Sequence, residues 1–300
     1  MRLAVTGATG TVGRAFVEQA LGAGHSVVML GRTAPKVLPE GCQFCEFDLT
    51  APPTDLKPSL QGVDCAVHLA ASIDTNPADD AAATALWTTN VLGTGRLIEA
   101  LAKAGVSHFV MASSANIYDP LVERADEQTP IRPQSRTLYL SSKAAQEAFA
   151  RELCRKHGIG HAVLRISSVI GTENDIVAKF LAMTLEGKTI TLANPEYGAD
   201  FVALNDVAAG LLLAAEKRLE GDFNLSSGER HTLEDLAHTI AKVCSVPVSI
   251  NESGPHGAPD KGFPAIACSK LSGCGYNPTA LPDIIARMKS NITLSDGASL

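Results

Sequence analysis

A glycine turn begins at residue 7. Gly7-Ala8-Thr9-Gly10-Thr11-Val12-Gly13 follows the apolar run Leu3-Ala4-Val5-Thr6 without a spacer and leads into a helical pattern over Arg14 to Ala23. A strand that turns straight into a helix through glycines brings unpaired backbone N–H groups to one point, and such groups attract anions. The missing side chains let a pyrophosphate approach the main chain. As a bare triplet the spacing 7, 10, 13 would serve packing alone; between a strand and a helix it points to a bound dinucleotide. The candidate contacts are Gly7, Thr9, Gly10, Thr11, Val12 and Gly13.

The alternation continues through the first two thirds of the chain. Strand-like runs cover Ser26 to Leu30, Cys42 to Phe47, Cys65 to Leu69, His108 to Ala112 and Ala162 to Ile166, and long helical patterns cover Thr84 to Ala104 and Tyr139 to His157. Strands alternating with helices imply right-handed crossovers and a parallel sheet covered on both faces. The fold class is therefore α/β, a Rossmann-type doubly wound parallel sheet. The last third has shorter apolar runs (Thr189 to Leu192, Phe201-Val202, Phe223-Asn224-Leu225, Val246 to Ile250), which predict a smaller, non-contiguous C-terminal substrate lobe. The expected division assigns 1–171 and about 200–221 to the cofactor domain, about 172–199 and 222–289 to the lobe, and 290–300 to a flexible tail. Asp206 to Lys217 reads as a helix returning to the main sheet, and Pro52-Pro53 as a loop.

Composition narrows the function. The chain has 300 residues, 45% hydrophobic and 19% charged, an ordinary globular mixture. Its net charge of -7 argues against a nucleic-acid partner. No apolar run approaches the ~20 residues of a membrane span, and no leader pattern precedes the first strand, so no membrane partner and a cytoplasmic location are expected. Seven scattered cysteines do not make a disulfide framework. Cys42 and Cys45 have the gap of a zinc or redox pair, but they lie in a strand pattern, where residues three apart face opposite sides. No metal is expected.

The second strand addresses cofactor choice. It ends Leu30-Gly31-Arg32-Thr33, with no acid for the adenosine ribose and a guanidinium suited to a 2′-phosphate. The expectation is NADP in preference to NAD. Asp48, after the third strand, either accepts from the adenine amino group or caps the chain from Leu49 onward.

Tyr139-Leu-Ser-Ser-Lys143 puts a phenol and an ammonium on one helix face. A nearby cation lowers a phenol from its reference pKa of ~10 by about 1–3 units, which makes it a workable acid/base. The fifth strand ends Ser113-Ser114-Ala115-Asn116-Ile117-Tyr118, where a serine hydroxyl has the reach to bind a substrate oxygen or to cap the loop.

These elements together resemble the extended short-chain dehydrogenase/reductase family, also called the NAD-dependent epimerase/dehydratase family. The likeness covers roughly residues 1–280 and includes His68-Leu69-Ala70-Ala71, Asn90-Val-Leu-Gly-Thr94, Arg165 before Val169-Ile-Gly171, Asp200-Phe-Val202 and Ser269-Lys-Leu. The resemblance implies Ser114, Tyr139 and Lys143 as the catalytic residues, with Lys143 also on the nicotinamide ribose and Asn90 structuring the floor of the site. It also implies cofactor contacts from Arg32, Asp48, Leu49, Leu69, Ala70, Ala71, Asn90, Ser113, Tyr139, Lys143, Ile166 and Val169. His68 reads as packing or cofactor shelf, and Trp87 as core or interface. The helices Thr84–Ala104 and Tyr139–His157 resemble those that pair family members, so a homodimer is expected.

The chain also departs from the family pattern. Many members grip a nucleotide-sugar diphosphate with arginines, one just before Asp-Phe-Val; here that residue is Ala199. Gly254 to Cys268 contains no arginine, only Lys261, and Ser167-Ser168 stands where an asparagine is common. Ala115-Asn116 after Ser114 replaces the Asp-Glu of the dehydratase branch. The first expectation is accordingly an NAD(P)-dependent oxidoreductase acting on a small-molecule carbonyl or alcohol. The alternatives are a nucleotide-sugar epimerase or related enzyme, and a non-catalytic NADP-sensing regulator.

Overall fold

The computed structural model describes residues 1–51, 55–132, 137–172, 174–254 and 260–297; the Pro52-Pro53 loop lies outside them. Seven strands form one sheet: β1 (Arg2–Thr6), β2 (Ser26–Gly31), β3 (Cys42–Glu46), β4 (Cys65–His68), β5 (His108–Ser114), β7 (Gly160–Ile166) and β11 (Gly221–Leu225). The order is β11-β7-β5-β4-β1-β2-β3, and every neighbouring pair is parallel. The chain leaves β1 towards β2 and β3, then crosses to β4 on the other side. The crevice opens at that reversal, outside the carboxyl end of β1.

The period of two in the strands sorts side chains between two cores. Leu3 and Val5 join Val110, Leu164 and Phe16 on one face, packed by α1 (Thr11–Gly22) and α6 (Leu204–Glu216). Ala4 joins Phe109, Met111 and Val163 on the other, covered by α3 (Gly93–Ala104) and α4 (Leu138–His157). Each fully buried aliphatic side chain contributes about 1.5–3 kcal/mol. α7 (Leu233–Cys244) opens with a capping box between Thr232 and Asp235, which fixes where the helix begins.

A third core holds the small lobe together. Val177 and Leu181 of α5 (Ile176–Leu185) pack with Leu236 and Ile240 of α7 and Ile285 of α9 (Leu281–Gly297). Its main sheet has the order β12-β10-β8, from β8 (Ser168–Ile170), β10 (Gly198–Ala203) and β12 (Arg230–Thr232). A further two-stranded pair joins β6 (Arg124–Ala125) to β14 (Ala265–Ile266). Asp200 ties these pieces to the main body: it accepts from Ser167 Oγ, from Ser227 N and Oγ, and from Gly228 N and Ile266 N.

Three features differ from the sequence expectations. Asp222–Leu225, assigned to the small lobe, belongs to the edge strand β11 of the main sheet. The single helix Thr84–Ala104 is instead α2 (Asp80–Trp87), a π-helical turn (Thr88–Leu92) and α3. The expected tail from residue 290 continues α9 as far as Gly297.

Candidate active site

The glycine turn lies at the crevice, and its geometry excludes side chains. Gly7 has φ +69°, and a Cβ there would stand 2.6 Å from Ala70 N; at Gly13 it would stand 2.0 Å from Gly7 O. Gly10 caps α1 without a side-chain bond, which leaves the N–H groups of the first turn for an anion. The turn opens into a cleft of about 630 Å³ lined by Gly7, Thr9, Gly10, Arg32, Asp48, Leu49, Leu69, Ala70 and Ala71, among others. A dinucleotide fits this cradle: glycines at the turn, the helix start beside it and apolar Met29, Phe44 and Phe47 along the wall. These wall residues were not read from the sequence, because only the strand order places β3 beside β2.

The remaining candidates lie deeper or to one side. Thr11, Val12 and Gly13 form the first turn of α1. Ile166 ends β7, and Val169 lies in β8. Ser113 is buried, with no partner for its hydroxyl among the described residues. Asn90 is fully buried in the π-helical turn. Its Oδ1 accepts from Ser72 N at 2.7 Å, while its Nδ2 donates to Ser72 O and Ser142 Oγ, both at 2.9 Å. Ser142 Oγ in turn donates to Tyr139 O. One amide therefore braces the loop after β4 against the first turn of α4.

Ser114 ends β5 and is nearly buried; its Oγ accepts from Asn116 N at 3.3 Å. Tyr139 and Lys143 lie in the first two turns of α4, which packs against β5 and the 3-10 turn Ala115–Ile117. Lys143 is 3% exposed and donates from Nζ to Ala112 O at 2.7 Å and to Gln146 Oε1 at 2.5 Å. Burial pulls its pKa down to about 8, opposed by the Glu147 carboxylate. Burial raises the Tyr139 phenol above its usual value.

Glu147 is itself buried and receives Arg165 Nε and Nη2; that guanidinium also donates to Tyr118 Oη and Asp222 Oδ2. This paired network fixes α4 to β7. Cys42 and Cys45 are free thiols, and among the described residues no cluster of three or more metal-ligating side chains occurs. Among the described residues, no helix is long and apolar enough to cross a membrane.

Comparison with known proteins identifies this arrangement. Residues 3–226 match the model of the NAD dependent epimerase/dehydratase family. UDP-glucose 4-epimerase of Mycolicibacterium smegmatis is 30% identical over 271 residues, 82% of this chain and 84% of that protein. dTDP-6-deoxy-L-talose 4-dehydrogenase (NAD(P)(+)) of Kitasatospora kifunensis is 30% identical over 267 residues, 84% of this chain and 81% of that protein. The crystal structure of Thermus thermophilus UDP-glucose 4-epimerase in complex with NAD superposes with a TM-score of 0.77 at 26% identity, over 96% of this chain and 98% of that one. The chain belongs to the NAD dependent epimerase/dehydratase family. It is an enzyme, so the reading as a non-catalytic sensor does not stand.

The expected NADP preference is overturned by the comparison, since the Thermus thermophilus structure holds NAD. The local reason is visible at Arg32. Asp48 lines the same cleft and lies within electrostatic reach of that guanidinium. Hydrogen bonds from Thr50 hold the Asp48 carboxyl below its usual range, with Arg32 and Arg96 adding to the effect. A 2′-phosphate brought to Arg32 therefore meets a carboxylate as well as a cation. Asp48 Oδ1 accepts from both Thr50 N and Thr50 Oγ1 at 2.8 Å, the capping role that sequence left open.

Proposed function

We propose that this chain is an NAD-dependent enzyme acting on a nucleotide sugar, by C4 epimerisation or the related oxidation. The observation that carries the reading is the extent of the similarity. It spans 82% of this chain and 84% of the Mycolicibacterium smegmatis UDP-glucose 4-epimerase, and so takes in the small lobe as well as the cofactor domain. This moves the nucleotide-sugar reading ahead of the plain carbonyl reductase favoured by the sequence.

The proposed holders of the cofactor are the glycine turn and the strand ends that line the cleft. Bound NAD supplies a hydride acceptor and donor. Tyr139 exchanges a proton with the substrate oxygen, Ser114 donates a hydrogen bond to that oxygen, and Lys143 turns its third N–H to the nicotinamide ribose. Tyr139→Phe is expected to lower kcat by about 10²- to 10⁴-fold while leaving NAD affinity within about twofold. Full activity in that variant would remove Tyr139 from the role.

A second reading rests on Ala199, which is 5% exposed in the small-lobe core and offers no charge to a diphosphate. It favours an oxidoreductase for a smaller alcohol or ketone. Incubation with NAD and a panel of UDP- and dTDP-hexoses, read by proton NMR, separates the two. C4 inversion or a 4-keto sugar is expected. Inert sugar nucleotides together with NAD reduction by simple alcohols would establish the second reading instead.

A further inference from the structure

Behind the cleft runs a buried chain of polar groups that ends at Lys143. Ala70 N donates to Thr6 Oγ1 at 3.3 Å, and Thr6 Oγ1 lies 2.6 Å from His68 Nδ1. His68 Nε2 lies 2.9 Å from Thr94 Oγ1, which donates to Asn90 O at 2.6 Å. Gln146 Nε2 donates to the same Thr94 oxygen at 2.7 Å, and Gln146 Oε1 accepts from Lys143. Thr6, His68, Thr94, Lys143 and Gln146 are all at most 3% exposed.

Proton bookkeeping fixes the direction of the chain. Thr94 has one hydroxyl proton, which goes to Asn90 O. Its oxygen therefore accepts from both His68 and Gln146. His68 then carries its proton on Nε2, and Nδ1 accepts from the Thr6 hydroxyl. Burial, followed by the Lys143 charge, pulls His68 down to about 3, so the ring is neutral. Gln146 must present its amide nitrogen to Thr94, and so its oxygen can only face Lys143.

We infer that Gln146 is a positioning residue: it holds the Lys143 ammonium at the end of β5 and keeps it charged, with its own orientation set by Thr94 and His68. The inference rests on the proposed role of Tyr139 and Lys143. The other charged or titratable groups near Lys143 are Glu147 and Tyr139 on α4 and His68 on β4; Glu147 is neutralised by Arg165 from β7. Gln146 supplies an uncharged side-chain acceptor, beside the backbone acceptor Ala112 O. Replacing it moves the balance in a direction set by the replacement.

The test uses Gln146→Met, which keeps the volume and removes the acceptor, and Gln146→Glu, which adds a carboxylate. The titration of Lys143 is followed by NMR of isotopically labelled lysine in the cofactor-free protein, and the pH profile of kcat in the NAD-loaded enzyme. The midpoint and the alkaline limb are expected to fall by about one pH unit in Gln146→Met and to rise by about as much in Gln146→Glu. A packing role would not produce opposite shifts. Unchanged midpoints in two folded variants would overturn the inference. If Gln146→Met does not fold, Gln146→Leu is read in its place, with the same fall expected and an unchanged midpoint overturning the inference. If Tyr139→Phe is fully active, the underlying reading fails, whereas an inactive Tyr139→Phe with unshifted Gln146 variants sinks only the positioning role.

Discussion

At Gly13 one methyl group is enough to close the cofactor turn. The Cβ would stand 2.0 Å from Gly7 O, and both neighbours are backbone, which has no free end to swing away. Gly13→Ala is expected to weaken NAD binding by at least about tenfold, or about 1.4 kcal/mol, in a calorimetric titration; unchanged affinity would mean that the turn does not shape the site. Such residues were legible in the sequence because backbone geometry leaves a mark on residue type. Gln146 was not, because its role depends on Thr94 and His68, 52 and 78 positions away. The only signal was a polar run, Lys143, Gln146 and Glu147, at the spacing of a buried helix face that continues as Ala150 and Cys154. At Arg32 both its charge and Asp48 are visible in the sequence, but not that the two line one cleft.

Elements are held in place by contacts that sequence patterns do not record. The helix over Thr84–Ala104 reads as continuous, yet Asn90 pairs with both backbone groups of Ser72 and the helix widens to a π turn around it. Gly93 lets α3 approach the loop after β3, where a Cβ would stand 2.7 Å from Leu49 Cβ. β11 shows no sign in its own residues of joining β7; strand order is a tertiary property. The tie between α4 and β7 yields a prediction at this scale. Glu147 and Arg165 are 2% exposed and bonded at 2.8 Å, so Glu147→Ala leaves a buried guanidinium short of a partner. The expected loss is about 3–5 kcal/mol by urea denaturation. A loss below about 1 kcal/mol would place the pair with ordinary surface bridges.

Across the whole molecule, neutral buried histidines link stability to pH. His108 is 1% exposed, has no partner for Nε2 among the described residues, and is lowered to about 4 by burial, with Arg218 adding to the shift. An unfolded histidine titrates near 6.5. Between the two values the unfolded chain binds more protons, so stability rises with pH through this window and is lost as pH falls through it. The urea midpoint is expected to drop between about pH 6.5 and 4, and less steeply in His108→Gln; equal slopes would remove His108 from the effect. The proposed homodimer belongs to this scale too. Trp87, Leu92 and Phe149 are 37%, 50% and 37% exposed on and between α2 and α4, a surface suited to a second copy. Sedimentation velocity is expected to give a dimer that Leu92→Glu converts to a monomer, and a monomer at micromolar concentration in the parent protein would contradict it.

The proposed chemistry draws on both lobes, with NAD in the cleft and a nucleotide sugar beside it. It is tested most directly by titrating the protein with UDP and dTDP, with and without saturating NAD, and by comparing NAD with NADP in the same format. NAD is expected to bind at least as tightly as NADP, and nucleoside diphosphate binding is expected to strengthen when NAD is present. Tighter NADP binding, or no nucleotide binding in either state, would contradict it.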